Sequence, residues 1–256
     1  MMLEIVPDKT TRTLTAFIKE SFKQAGFTKA VIALSGGVDS ATSCALLVQA
    51  LGPGNIFPVL LPYGKLNQTG TADAQSLIKL LRIPPENVTQ TDIKPTADQV
   101  AAVDPSMDKV RRGNIMARVR MILLFDRAKQ LKALVVGTEN KSEHLLGYFT
   151  RFGDEASDIE PLRNLYKTQV YQLAEYLGVP QPILDKPPTA GLWQGQTDEG
   201  EFGFTYQEAD EILFLHSEAK KTPEEIIGLG HNKAVVEQVM ARTEDNDFKH
   251  FLPRVP

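Results

Sequence analysis

Four short apolar runs alternate along the chain with longer stretches whose apolar residues recur every three or four positions. Ala30-Val31-Ile32-Ala33-Leu34 is unbroken by polar residues, the pattern of a strand buried on both faces. Residues 56–61, 88–93 and 133–137 repeat it, although Pro58 withholds an N–H and weakens the second. Between the runs the period is helical. Leu14, Phe17, Ile18 and Phe22 form one stripe over 10–25, with Lys19, Glu20 and Lys23 opposite and Gly26 as the stop. Further helices are expected over 41–51, 71–81, near 96–102 and over 108–131, the last with Val110, Ile115, Val119, Ile122, Leu123 and Phe125 as its apolar stripe. Strands alternating with helices predict an α/β fold with a doubly wound parallel sheet, whose ligands bind outside the carboxyl ends of the strands. The loops 35–40, 62–65 and 138–143 should therefore converge.

After residue 160 the periodicity is purely helical, over 167–177, 205–217, 222–228 and 232–242. The connection 178–204 is rich in Pro and Gly and carries the sole tryptophan, Trp193. Without periodicity of its own, it reads as a lid over 186–203 or as a linker to the last helices. The expectation is one domain over 1–256, with no residues left for a second catalytic domain.

The first apolar run leads into Ser35-Gly36-Gly37-Val38-Asp39-Ser40, and a helix follows at once. A strand, a Gly-rich turn and a helix start make an anion site. The glycines allow a sharp turn and a close approach, and the unpaired N–H groups of the first helical turn face the ligand. Ser35 and Ser40 add hydroxyl donors, and Asp39 can share a divalent cation with phosphate oxygens. No Gly-Lys-Ser/Thr follows, so this is not a Walker A loop, and it lacks the dinucleotide Gly-x-Gly-x-x-Gly. A second polar motif, Thr138-Glu139-Asn140-Lys141-Ser142-Glu143, leaves the fourth apolar run. Glu143 is either a second carboxylate for the same cation or a glutamate favoured by a helix start.

Composition narrows the class. With 42% apolar residues, 23% charged residues and a net charge of −4, the chain has no basic run, which argues against a nucleic-acid partner. No apolar run nears the ~20 residues of a membrane span, and a cytoplasmic, membrane-free protein is expected. The one cysteine, Cys44, sits among Ala and Leu and reads as a small core residue. His144 is the only histidine beside a motif; it is either catalytic or a helix-surface residue. No nucleophile–base pair is recognisable.

Ser-Gly-Gly-x-Asp-Ser resembles the PP-loop of the ATP pyrophosphatases. Downstream come Gly113-Asn114-Ile115-Met116-Ala117-Arg118, then residues 147–154, Asp158-Ile159-Glu160-Pro161-Leu162, 165–170, 186–193 and Gly195-Gln196-Thr197-Asp198-Glu199. In this order and spacing they resemble the ammonia-dependent NAD synthetases. The resemblance implies a Rossmann-like, adenine nucleotide α-hydrolase-like fold. It also implies a reaction in which ATP adenylates the nicotinate carboxylate of deamido-NAD and ammonia displaces AMP. Carried over by position, it puts ATP on Ala33, Leu34, Ser35, Gly36, Gly37, Val38, Asp39 and Ser40, together with Thr138, Lys167 and Thr189. It puts Mg²⁺ on Asp39 and Glu143, and deamido-NAD on Arg118, Arg151, Asp158 and Lys249. It implies a homodimer whose substrate site borders the interface. From the residues alone, Arg118 reads equally as a solvated helix residue, Lys167 as a helix-flanking one and Asp158 as a turn former. Two positions depart from the family pattern. Arg151 stands where lysine is common, and Phe248-Lys249-His250 stands where the family has His-Lys-Arg. Two other readings were weighed: a tRNA-modifying ATP pyrophosphatase, which needs a basic domain, and a non-catalytic nucleotide sensor, which has no need of Asp39 and Glu143.

Overall fold

The computed structural model describes residues 3–251. Four parallel strands, β1 (Ala30–Ala33), β2 (Ile56–Leu60), β3 (Thr89–Gln90) and β4 (Leu134–Val136), lie in the order β3-β2-β1-β4. The helices are α1 (Pro7–Ala25), α2 (Val38–Leu51), α3 (Gln68–Leu80), α4 (Lys94–Ala101), α5 (Lys109–Leu131) and α6 (Lys141–Leu145), followed by α7 (Lys167–Tyr176), α8 (Gln181–Leu184), α9 (Asp198–Phe202), α10 (Tyr206–Ser217), α11 (Pro223–Gly228) and α12 (Lys233–Asn246).

Strand pleating sorts the core into two sides. Ala30 and Ile32 face a layer built with Ile18 and Phe22 of α1, Leu46 and Leu47 of α2 and Leu173 of α7. Val31, with Phe57 and Val59 of β2, faces Ile93, Ala97 and Met116 on the side of α4 and α5. A third apolar cluster joins Phe202 of α9 to α10, α11 and α12 through Tyr206, Ile212, Ile226 and Val236.

Several elements differ from the periodicity reading. The third strand is Thr89–Gln90 rather than 88–93, because it pairs only with Val59 and Leu60. That brevity is what admits Pro58. It sits opposite Ile32, and on its other side β2 is still an edge. On α5 the buried residues are Gly113, Met116, Ala117, Val119, Leu124 and Ala128, while Val110 and Ile122 are exposed. The apolar residues of this helix lie on more than one side, so the stripe drawn through them merged two faces. Phe17 of α1 is likewise exposed beside buried Ile18. The stretch 178–204 is not structureless, since it contains α8 and α9. No helix among the described residues is long and apolar enough to cross a membrane.

Candidate active site

In the order β3-β2-β1-β4 the chain leaves β1 on one side and returns to β4 on the other, so a crevice opens between the carboxyl ends of β1 and β4. The 35–40 turn leaves β1 there, and the loop to α6 leaves β4. Gly36 takes φ +79°, and a Cβ on it would lie 2.0 Å from the carbonyl oxygen of Gly70. The turn thus packs backbone to backbone against the start of α3, which only glycine allows. Ser40 Oγ donates to the Gly37 carbonyl at 3.1 Å, and the Gly37 N–H donates to Ser35 Oγ at 3.2 Å. These bonds fix the loop, and no side chain caps the N-terminus of α2.

A cleft of about 430 Å³ opens over this turn, within the usual range for a small-molecule site. All of residues 33–40 line it, as do Thr138, Glu143, Lys167, Thr189 and Lys249. At its centre Lys167 Nζ donates to Asp39 Oδ2 at 2.6 Å and to Glu143 Oε1 at 3.1 Å. The lysine side chain is 3% exposed and each carboxylate 16%. Burial alone would lower the Lys167 pKa, but the facing Asp39 and Glu143 carboxylates override it and hold the ammonium well above its usual value. Burial pushes Glu143 above the carboxylate range against the pull of Lys167, and the Asp39 charge adds to that rise. Two carboxylates thus share one cation, and a second cation would relieve both. Their hard oxygens, beside a phosphate cradle, suit Mg²⁺. Among the described residues no three His, Cys, Asp or Glu side chains gather as a metal cage, so further ligands would be phosphate oxygens and water.

Lys167 is set by its helix start. Its N–H donates to Ser142 Oγ at 2.8 Å, and the Thr168 N–H donates to fully buried Asp210 at 2.8 Å. The 186–198 segment walls the cleft. Lys186 bonds the Gly36 carbonyl and pairs with Asp73 at 2.8 Å. Asp198, 3% exposed, accepts from the hydroxyls of Tyr148 and Tyr206 and from the Ala190 N–H. Lys249 Nζ donates to the carbonyls of Gly147 and Phe149 at 2.6 and 3.2 Å, so it braces the 147–149 turn at the cleft wall.

Three residues of the resemblance lie elsewhere. Arg118 is exposed on α5 and donates to the Arg151 carbonyl at 3.1 Å, and Arg151 bonds the Phe251 carbonyl. Asp158 accepts from the Val135 N–H at 2.7 Å and borders a second hollow beside α1. From the 62–65 loop only Pro62 lines the cleft. His144 does not line the cleft, and its side chain is 28% exposed. It is half-buried against Phe149 and His250, takes a hydrogen bond from Arg163 at Nδ1, and burial lowers its pKa to about 4. Cys44 is fully buried, and burial pushes its thiol up to about 12.

Sequence reasoning missed Asn114, Arg120, Asp154 and Arg242, which line the cleft, and Asn140, which links its two carboxylates. Asn114, Asp154 and Asn140 stand inside the quoted motifs with no role assigned, and Asn140 also shows an N-cap pattern three positions before a glutamate; Arg120 and Arg242 carried no signal. The others come from separate helices and loops and meet only in the fold.

A Gly-rich turn at the switch point of a parallel sheet, with a lysine between two carboxylates at its mouth, places the chain among α/β enzymes of the adenine nucleotide α-hydrolase type. The sequence model of the NAD synthase family matches residues 10–253. The NH(3)-dependent NAD(+) synthetase of Fusobacterium nucleatum is 41% identical over 242 residues, covering 94% of this chain and 93% of that one. Among solved structures, NMN synthetase from Francisella tularensis aligns with TM-score 0.87 and 36% identity over 99% of both chains. The NH3-dependent NAD synthetase from Campylobacter jejuni aligns with TM-score 0.83 and 30% identity, covering 98% of this chain and 100% of that one. The chain belongs to the NAD synthase family, whose enzymes are ligases that form a C–N bond.

Proposed function

We propose that the cleft joins ammonia to the nicotinate carboxyl of deamido-NAD at the expense of ATP. The observation that carries this is the uncapped α2 N-terminus and 35–40 turn facing Lys167, Asp39 and Glu143 across one cleft. A triphosphate laid on the turn meets backbone N–H groups and the Ser35 and Ser40 hydroxyls, with Thr138 and Thr189 at the rim. A carboxylate oxygen of the substrate attacks the α-phosphorus, the bond from that phosphorus to the bridging oxygen breaks, and pyrophosphate leaves. Ammonia then bonds to the carbonyl carbon, the bond to the AMP oxygen breaks, and a proton is released. Mg²⁺ held by Asp39 and Glu143 would neutralise charge on the phosphate oxygens. Lys167, buried and charged, adds a fixed positive charge facing the departing pyrophosphate. The protein mainly positions two anions and excludes water, which accords with a sequence that has no recognisable nucleophile–base pair.

Arg118 and Ile122 share an outward face of α5, one turn apart, with Arg151 beside them. A homodimer joined across this face would bring Arg118 and Arg151 to the far end of deamido-NAD; light scattering of the purified chain tests whether it dimerises. The decisive assay incubates the chain with deamido-NAD, ATP, Mg²⁺ and ammonium. NAD, AMP and pyrophosphate in equal amounts are expected, and ADP with phosphate would refute the reading. The likeness to an NMN synthetase calls for a parallel arm with nicotinate mononucleotide, and preference for it would move the substrate reading to the mononucleotide. Glutamine with ammonia scavenged should give no product, since the only thiol is buried.

A further inference from the structure

Asn140 has no contact with the cleft lumen, yet it connects both carboxylates. Its side chain is fully buried at the start of α6. Its Oδ1 accepts from the Glu143 N–H at 3.0 Å, and its backbone N–H faces Glu143 Oε2 at 3.4 Å, completing a capping box. Its Nδ2 donates to Asp39 Oδ1 at 2.9 Å, across from β4 to the start of α2. The orientation of the amide is fixed by this pattern. A backbone N–H can only donate, so the oxygen faces Glu143 and the NH₂ faces the carboxylate.

Both oxygens of each carboxylate are thereby engaged, one with Asn140 and one with Lys167. Asp39 gives Oδ1 to Asn140 and Oδ2 to Lys167; Glu143 gives Oε2 to the Asn140 backbone and Oε1 to Lys167. One oxygen of each carboxylate is on Lys167, which lines the cleft, and the other is on Asn140, which does not. We propose that Asn140 is a positioning residue. One amide locks the rotation of Asp39 while capping the helix that carries Glu143, so that one oxygen of each faces a shared cation. This rests on the reading that Asp39 and Glu143 hold Mg²⁺.

Helix capping and carboxylate orientation are separable by substitution. Serine and threonine are good N-caps and keep the bond to the Glu143 N–H. Their hydroxyls end about one bond short of Nδ2 and cannot reach Asp39. Asn140→Ser and Asn140→Thr are compared with wild type and with Asp39→Asn. Thermal midpoints are measured without metal. Binding of Mn²⁺–ATP is followed by water-proton relaxation enhancement, and the Mg²⁺ concentration giving half-maximal turnover is recorded. Both Asn140 variants should keep the wild-type midpoint within about 2–4 °C. They should weaken protein-bound Mn²⁺–ATP about tenfold or more, as loss of a ligand-orienting partner does, and raise the half-maximal Mg²⁺ concentration in parallel. Wild-type Mn²⁺–ATP binding in either variant overturns the proposal and leaves Asn140 as a helix cap. Collapse of both variants overturns it too, because the residue would then serve the fold first. If Asp39→Asn leaves Mn²⁺–ATP binding unchanged, the metal reading itself fails, and that outcome is distinct from failure at Asn140 alone.

Discussion

Asp39 and Glu143 leave strands that neighbour each other in the sheet, and their carboxylates are bridged by Lys167 on one side and Asn140 on the other. Asp39→Asn or Glu143→Gln keeps the shape of each side chain and removes one charge. Either change should lower turnover on the order of 10²-fold or more while the fold survives. Near-normal turnover in either variant would take that residue out of the metal site. Gly36 is a test of the turn itself. An alanine there carries a strained positive φ worth roughly 1–2 kcal/mol and drives its Cβ into the Gly70 carbonyl. Gly36→Ala should therefore lose ATP binding by calorimetry and lower the melting point by at least about 2–4 °C. Retained binding would show that the turn is not the phosphate cradle. At this scale the sequence was informative wherever one motif holds the whole function, as in 35–40. The resemblance pointed to Lys249, whose ammonium bonds two carbonyls of the 147–149 turn; Arg120 and Arg242 carried no signal, and with Asp154 they gain a shared cleft only from the packing of α5, the 147–154 loop and α12.

The lid is an element-scale matter. Its two ends differ in how firmly they are held. From α9 onward the chain is tied down, since Asp198 and Phe202 are buried and Thr197 caps the helix at the Gly200 N–H. Between 187 and 195 no helix or strand forms; the backbone is held by the Asp198 N–H on the Pro188 carbonyl at 3.0 Å, the Leu192 N–H on Gln196 Oε1 at 2.6 Å and the Ala190–Asp198 bond, and the side chains by Trp193 under Lys109 Nζ at 4.8 Å and Leu192 against Gly113. Limited proteolysis of the free enzyme should cut between 187 and 195 and spare α9. ATP, Mg²⁺ and deamido-NAD together should protect that stretch and change Trp193 emission, because closure excludes water from the adenylate. Equal cleavage and unchanged emission would mean the segment is only a connection. The periodicity reading located this segment but not α8 and α9, which are four and five residues long and too short to show a period. The same limit hid α6, a five-residue helix held by its capping box. Long elements such as α1, α2 and α5 were legible because several turns repeat the pattern.

Across the whole molecule, charge burial near β4 sets how stability responds to pH. Burial raises Glu139 from the usual 4.5 to about 8 despite Arg163 at 2.7 Å. Burial also raises Glu160 to about 8, with the neighbouring Glu139 charge adding to it, while a Ser157 hydrogen bond opposes. The two are joined directly, the Glu139 N–H donating to Glu160 Oε2 at 3.1 Å. His144, lowered to about 4, stays neutral here and does not compensate them. A carboxyl whose pKa is higher folded than unfolded binds its proton more tightly in the folded state. Its contribution to stability is full below about 4.5 and is lost as pH rises through about 8, with a slope approaching about 1.4 kcal/mol per pH unit for each group. Guanidinium unfolding should therefore show stability falling between pH 5 and pH 8. Glu160→Gln separates this from other titrations. Its amide oxygen can accept from the Glu139 N–H, and its NH₂ can donate to Ser157 Oγ, so the local bonds persist without a titrating group. The variant should lose less stability than wild type over the same range. Equal slopes in the two proteins would show that Glu160 is already ionised at pH 5 and that the burial of this corner does not hold its proton.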